Sequence, residues 1–375
     1  MRRHFILLAG FAILASGARA QDFEWYPVFK PSYFWSESAG PGVGFGLNGR
    51  HLFSMGDAVR LRSRAQWFRQ SVDLGWASDS PGEGFDGWMI SARTYRNLHE
   101  SFYGLGPSSR KRSERYADHR LIQTQIRRSI QLPGSAWAQI WVEQRLDIVR
   151  GHEPVGDSAP PSPHLDLLTE QGEYGLWTVG LDVGLTSRWA GLQFHLRSTS
   201  GDASHELFGV VVDRTWRLGS DRFLTARFML DRTLESSRDV PYFLLPRLDD
   251  RLAPGWDRNR FYGNDRVVMG LVFVQPIFRV LKSHRYEGLV HLGLSQVYDD
   301  VAEDFDLRVA LGPHRDGLAS GAVPLEPTLG IGSRFVALRG GNVIASAMLG
   351  FSAEGLQATT FRVTHRLSAW RPSVR

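Results

Sequence analysis

The sequence predicts an all-β protein that crosses a membrane as an antiparallel β-barrel of about sixteen strands. Three observations carry this. The chain opens MRRHFILLAGFAILASGARAQ, with Arg2 and Arg3 ahead of a short apolar run over 5–15 and the small-x-small site Ala18-Arg19-Ala20 before Gln21. That is the pattern of a secretory signal peptide, too short for a membrane span. Beyond it no apolar run is long enough for a transmembrane helix, for which about eighteen residues are needed. Instead, apolar residues alternate with Arg, Gln, Asp and Glu in run after run, the period of a strand with two unlike faces.

Composition narrows the classes. The 375 residues include 39 glycines and 12 tryptophans but no cysteine, which excludes disulfides, thiolate metal sites and a lipidated N-terminal cysteine. The formal charge of +5 is weak evidence for a nucleic-acid partner, and none is expected. A soluble sandwich would pack its apolar faces against a second sheet. Here every strand pairs one apolar face with one rich in charge, which suits lipid outside and water inside. The expected organisation is a signal peptide over 1–20 and one outer-membrane barrel domain over 21–375, in a bacterial cell.

The first strand is expected at 25–35, leaving no room ahead of it for a folded periplasmic domain, and the second at 43–52. In 58–67, Val59, Leu61, Ala65 and Trp67 share one face, and Arg60, Arg62, Arg64 and Gln66 the other. Strands at 72–77 and 88–98 precede a polar loop at 99–116. Residues 121–132 and 137–149 form the clearest hairpin, joined by Pro133-Gly134-Ser135. A Pro-rich loop at 151–173 leads to four alternating runs centred on Leu181, Phe194, Val210 and Phe228. A long aromatic-basic loop spans 234–264, followed by strands at 266–278 and 286–298. The loop at 299–323 contains a run, 306–311, that reads as a short hairpin arm. Strands at 325–338, 342–352 and 356–370 complete the set, with fourteen strands as the alternative count. The long loops follow odd strands and the short turns even ones, the asymmetry of bacterial barrels. Trp25, Trp35, Trp67, Trp88, Trp137, Trp177, Trp216 and Trp370 lie near strand ends and read as aromatic girdles.

Three stretches resemble the barrel domain of the BamA/TamA surface-antigen family. SFYGLGPSS at 101–109 is similar to the F-[FY]-G-[IL]-G-x-S signature after the fifth strand. PYFLLPRL at 241–248 resembles the opening of that family's large sixth outer loop, and PGWDRNRF at 254–261 its R-G-[FY]-x-x-x-R-F tip. The resemblance implies a loop folded into the lumen, and a role in protein or lipid traffic at the outer membrane. The family's tip arginine falls on Pro254, and its partner aspartate on strand thirteen falls on His291. Both halves of that ion pair are absent, so no buried charge is left alone. The POTRA repeats that receive client chains have no counterpart, which implies a separate periplasmic partner besides the surrounding lipid.

The candidate site is therefore the loop tip, Gly255, Trp256, Arg258, Arg260 and Phe261, with Pro254 and His291 as degenerate latch positions. The tip is expected inside the lumen, held by Trp256, Phe261 and hydrogen bonds from Arg258 and Arg260 to lumen carboxylates. Arg127, Glu143, Arg145, Asp147, Asp182, Arg197, Arg227 and Asp231 fall on the polar face. They either pair and fill the barrel or make the lumen favour anions. His195 and His291 are the possible catalytic groups, but G-x-S-x-G, H-E-x-x-H and C-x-x-C are all absent. Neither catalysis, a cofactor nor a metal is expected.

Overall fold

A computed structural model of the chain describes residues 24–26, 32–36, 40–50, 57–78, 86–103, 105–106, 115–151, 172–187, 189–219, 221–234, 240–248, 253–256, 261–280, 284–310, 323–337, 343–353 and 355–364. The signal peptide, Arg258, Arg260, His365 and Trp370 lie outside these residues. Among the described residues no helix is long and apolar enough to cross a membrane.

Sixteen antiparallel strands form one sheet. They are β1 (in two pieces, Glu24–Tyr26 and Ser32–Ser36), β2 (Gly40–Arg50), β3 (Ala58–Gln66), β4 (Arg69–Ala77), β5 (Gly87–Phe102), β6 (Arg115–Gln131), β7 (Ala136–Gly151) and β8 (Gly172–Thr186). There follow β9 (Ala190–Gly201), β10 (His205–Arg217), β11 (Phe223–Thr233), β12 (Asp265–Val280), β13 (His284–Tyr298), β14 (Val323–Ala337), β15 (Val343–Ser352) and β16 (Gly355–Thr364). Each strand pairs with the next, and β16 pairs back onto β1, so the sheet is a ring without a free edge.

The faces are inverted relative to a water-soluble protein. On β8, Trp177, Val179, Leu181, Val183 and Leu185 point outward and Val179 is 50% exposed, while Asp182 points inward and is 7% exposed. Strand after strand repeats this, with Ile122, Ile126 and Ile140 bare on the outside and Asp147, Asp231 and Glu287 buried inside. An apolar belt facing lipid and a polar interior satisfy both solvents.

Three expectations are corrected. The first strand changes register: Tyr26 pairs with Asn48 but Ser32 with Gly44, a slip between its two described pieces. Pro27 and Pro31 fall in the interval, and proline has no N–H to give a ladder. Trp137 does not belong to a girdle. It is 8% exposed, inside the barrel, with its indole N–H on Thr186 Oγ1 at 2.9 Å. Finally, the segment after β13 is not a hairpin arm. It forms a short α-helix, Val301–Asp304, capped by Asp300, then a strand, Phe305–Val309, that runs parallel to the start of β14. Of the remaining tryptophans, Trp35, Trp67, Trp88, Trp177 and Trp216 are exposed on the outer wall, as girdle residues should be.

Candidate functional site

The segment between β11 and β12 folds into the barrel and fills one side of it. A short 3-10 turn, Tyr242–Leu244, is followed by a two-residue ladder between Arg247–Leu248 and Phe261–Tyr262. Its first half packs Val240, Tyr242 and Leu245 against Phe102, Ala117 and Val149 of β5–β7. Its second half packs Leu248, Ala253, Trp256 and Phe261 against Val268 and Val297 of β12 and β13. The segment thus spans the lumen between two facing walls. Trp256 is 1% exposed, stands edge-on to Phe261 at 4.9 Å and directs its indole N–H to Ser295 Oγ at 3.2 Å. Burial pushes the hydroxyls of Tyr242 and Tyr262 well above their ordinary range, and the Glu100 carboxylate adds to it, so both phenols stay neutral.

A thread of charge ties this plug to both walls. On one side Arg247 reaches Glu100 at 3.5 Å, and Glu100 faces His119 Nδ1 at 2.7 Å. His119 Nε2 lies 2.8 Å from Asp147, which also takes two hydrogen bonds from Arg145 at 2.5 and 2.6 Å. With both carboxylates ionised, both ring nitrogens donate and the imidazole is a cation. Phe243 of the plug covers this cluster, with the Arg145 guanidinium 5.7 Å from its ring centroid. On the other side Arg266 donates to the Arg247 carbonyl and to Asp231, which faces His195 at 2.8 Å.

The tip lies on a strip of glycines. Gly270, Gly293, Gly330 and Gly350 line the inner wall of β12–β15 in neighbouring register. A Cβ at Gly330 would stand 2.9 Å from Pro254 Cγ, and one at Gly350 only 2.5 Å from the Gly255 backbone nitrogen. Gly255 itself has φ +124, and a Cβ there would meet the Phe351 carbonyl at 2.2 Å. Only backbone bare of side chains on both surfaces permits this approach. Pro254 and His291 meet at this strip, since Gly330 faces both. The two degenerate latch positions are neighbours held by shape in place of charge.

The lumen charges divide into two groups. Arg145, Asp147 and Asp231 belong to the thread. Asp182 accepts the Trp141 indole N–H at 3.0 Å, Arg197 lies over that indole at 5.7 Å, Glu143 takes Gln123 and Gln125, and Arg127 donates to Gln125. Arg227 is exposed within the lumen, as are Arg60 and Arg62 on the far side. Glu100, His119, Arg247 and Arg266 join the site without having been singled out in the sequence. Glu287 is a further addition at the short-turn end, fully buried between Arg285 and Arg334 at 2.5 Å each. Among the described residues, no group of three or more metal-ligating side chains could hold an ion.

Among the described residues the shortest joint of the ring is between β1 and β16, which share five residue pairs, Ser32 to Ser36 with Thr364 to Thr360. β6 and β7 share fifteen, from Ala117–Gly151 to Gln131–Trp137. Tyr33, Trp35 and Phe361 are exposed on the outer side of this joint.

No protein-family model matches the chain, and no curated protein matches it in sequence. Solved structures do. BamA from Haemophilus ducreyi lacking POTRA domains 1–3 superposes with a TM-score of 0.60 at 10% identity, over 96% of this chain and 78% of that one. CdiB from Escherichia coli gives 0.55 at 8% identity, over 92% and 67%. CdiB from Acinetobacter baumannii gives 0.50 at 10%, over 92% of this chain and 65% of that one. The chain therefore has the barrel fold of BamA and CdiB, and the resemblance to the BamA/TamA barrel holds at the level of structure.

Proposed function

We propose that this chain is an integral barrel of the bacterial outer membrane that aids transport or assembly of proteins or lipids there, acting through its β1–β16 seam and without chemical catalysis. The short seam carries the reading. Among the described residues five pairs bind it, where eight to fifteen bind the other neighbouring strands, so it is the joint that opens at least cost. The plug supports it from the other side, because a lumen crossed by a packed segment is poorly suited to a plain pore. A separate periplasmic partner that receives client chains belongs to this proposal.

The test is a lock on the seam. The chain has no cysteine, so Ser36→Cys with Thr360→Cys places one pair across the joint, at residues that face each other in register. Thr178→Cys with Thr199→Cys locks β8 to β9 as the control. In source cells dependent on the variant, oxidation should deplete outer-membrane proteins or surface lipid for the seam pair only, with recovery on reduction. Equal behaviour of the two locks removes the seam from the mechanism.

The exposed Arg60, Arg62 and Arg227 favour a second reading, an anion-preferring pore for small solutes. Planar-bilayer recording separates the two, since a stable anion-selective current from the intact chain would sink the plugged-barrel reading.

A further inference from the structure

The outer wall of β5–β7 carries a basic cluster beside the apolar belt. Arg96 and Arg120 stand directly opposite one another in the ladder, and Arg150 stands opposite Asp118. All four point outward, on the same faces as Ile122, Ile126 and Ile140 of the belt. Arg120 lies two residues beyond Ile122, about 7 Å along the strand, toward the end of the barrel with the long loops. Like charges directly opposite in a ladder repel. Asp118 relieves this only in part: both guanidiniums share its Oδ2, at 3.3 Å from Arg96 and 3.0 Å from Arg120. The Nε of each arginine and the other oxygen of Asp118 have no hydrogen-bond partner. Arg150 is exposed. Above the cluster, Phe68, His99 and Tyr116 form a continuous stack, with ring centroids 4.1 and 5.0 Å apart. The opposite rim differs, because Arg128 there has its own carboxylate, Asp86, at 2.7 Å, and lies over Trp88.

Two guanidiniums sharing one carboxylate, with the exposed Arg150 opposite it in the ladder, leave room for a second anion with several acceptor oxygens. We propose that Arg96, Arg120 and Arg150 clamp the phosphate of a lipid headgroup in the outer leaflet, with the aromatic stack at headgroup level beside it. The site rests on the membrane-barrel reading, since the belt sets both its depth and the source of the phosphate.

The experiment uses the full mature chain in phosphatidylcholine nanodiscs doped with diphosphoryl lipid A or with its dephosphorylated form. Insertion is scored first, by heat-modifiable mobility. Lipid retained after detergent exchange is then counted by native mass spectrometry. The chain should retain the phosphorylated lipid over the dephosphorylated one. The combined Arg96→Gln, Arg120→Gln, Arg150→Gln variant should lose retention about tenfold or more, and Arg128→Gln should match the parent. Should the triple variant not insert, Arg150→Gln alone serves, with an expected fall of about threefold. Equal retention of both lipids, or unchanged retention in the arginine variants, overturns the site while leaving the barrel standing. Displacement of the lipid by millimolar inorganic phosphate reassigns the site to a free anion. Failure of the parent chain to insert overturns the barrel reading, and the site with it.

Discussion

Gly350→Ala should release the plug while leaving the barrel intact. The new Cβ would lie 2.5 Å from the Gly255 nitrogen and 3.0 Å from its Cα, whereas carbon normally approaches such atoms to about 3.5 Å. The tip would have to retreat by about 1 Å. No side chain can swing aside to spare it, because the obstructing atoms are backbone and Gly255 is already seated against the Phe351 carbonyl. Overpacking of this kind costs about 1–3 kcal/mol, which is roughly 5- to 150-fold in the equilibrium between docked and released tip. The plug sequence offers trypsin sites at Arg251, Arg258 and Arg260. Limited trypsinolysis of the inserted barrel should therefore cut the segment at least about fivefold faster in the variant when opening is fast relative to cleavage. Heat-modifiable mobility should be unchanged, because Gly350 contributes only backbone to the ladder with Gly330. Equal cleavage rates in parent and variant would refute the argument that the glycine strip seats the tip.

Three further outcomes follow from the same geometry. His119→Ala leaves Glu100 and Asp147 buried without the cation between them, and should lower the urea stability of the barrel by about 3 kcal/mol, at the low end for a broken buried pair because Arg145 and Arg247 remain. Gly180→Ala would place a Cβ 2.1 Å from the Trp141 ring, so the indole should swing off Asp182, with red-shifted tryptophan emission and a loss of about 1–3 kcal/mol. Deleting 240–262 should convert a quiet barrel into one with a steady current favouring anions, since the plug would no longer cover Arg145, and Arg60, Arg62 and Arg227 already face the lumen; silence in a bilayer would count against the plug as the barrier.

The strands were legible because a wall between lipid and water forces a period of two, and that period survives in plain sequence. Where the ladder is irregular, legibility ends. The bulge between Asn97 and Glu100 shifts the phase of β5, so Glu100 and Phe102, inside the barrel, read as a loop. Trp137 lies near a strand end, as a girdle residue would, but its face turns it into the barrel. The signal was present all the same: Trp137 and Trp141 on β7 face Gly184 and Gly180 on β8, each indole lying in the space its glycine leaves. The plug was legible as a segment too aromatic for a plain connector. Its anchors were not, because Arg247 and Arg266 gain their roles only from which wall each faces.

The seam also has a consequence for how the ring is made. Every other wall pairing joins strands that follow one another in sequence, so each can form as a hairpin at small entropic cost. Ser32–Ser36 and Thr360–Thr364 lie far apart in the sequence, and theirs is the one long-range pairing among the described wall strands. Zipping from neighbour to neighbour leaves closure for last, with two unpaired edges exposed until then. The shortest described joint of the finished ring is then also its youngest, and a nascent barrel that stalls will stall there, as an open sheet ready to take a strand from elsewhere.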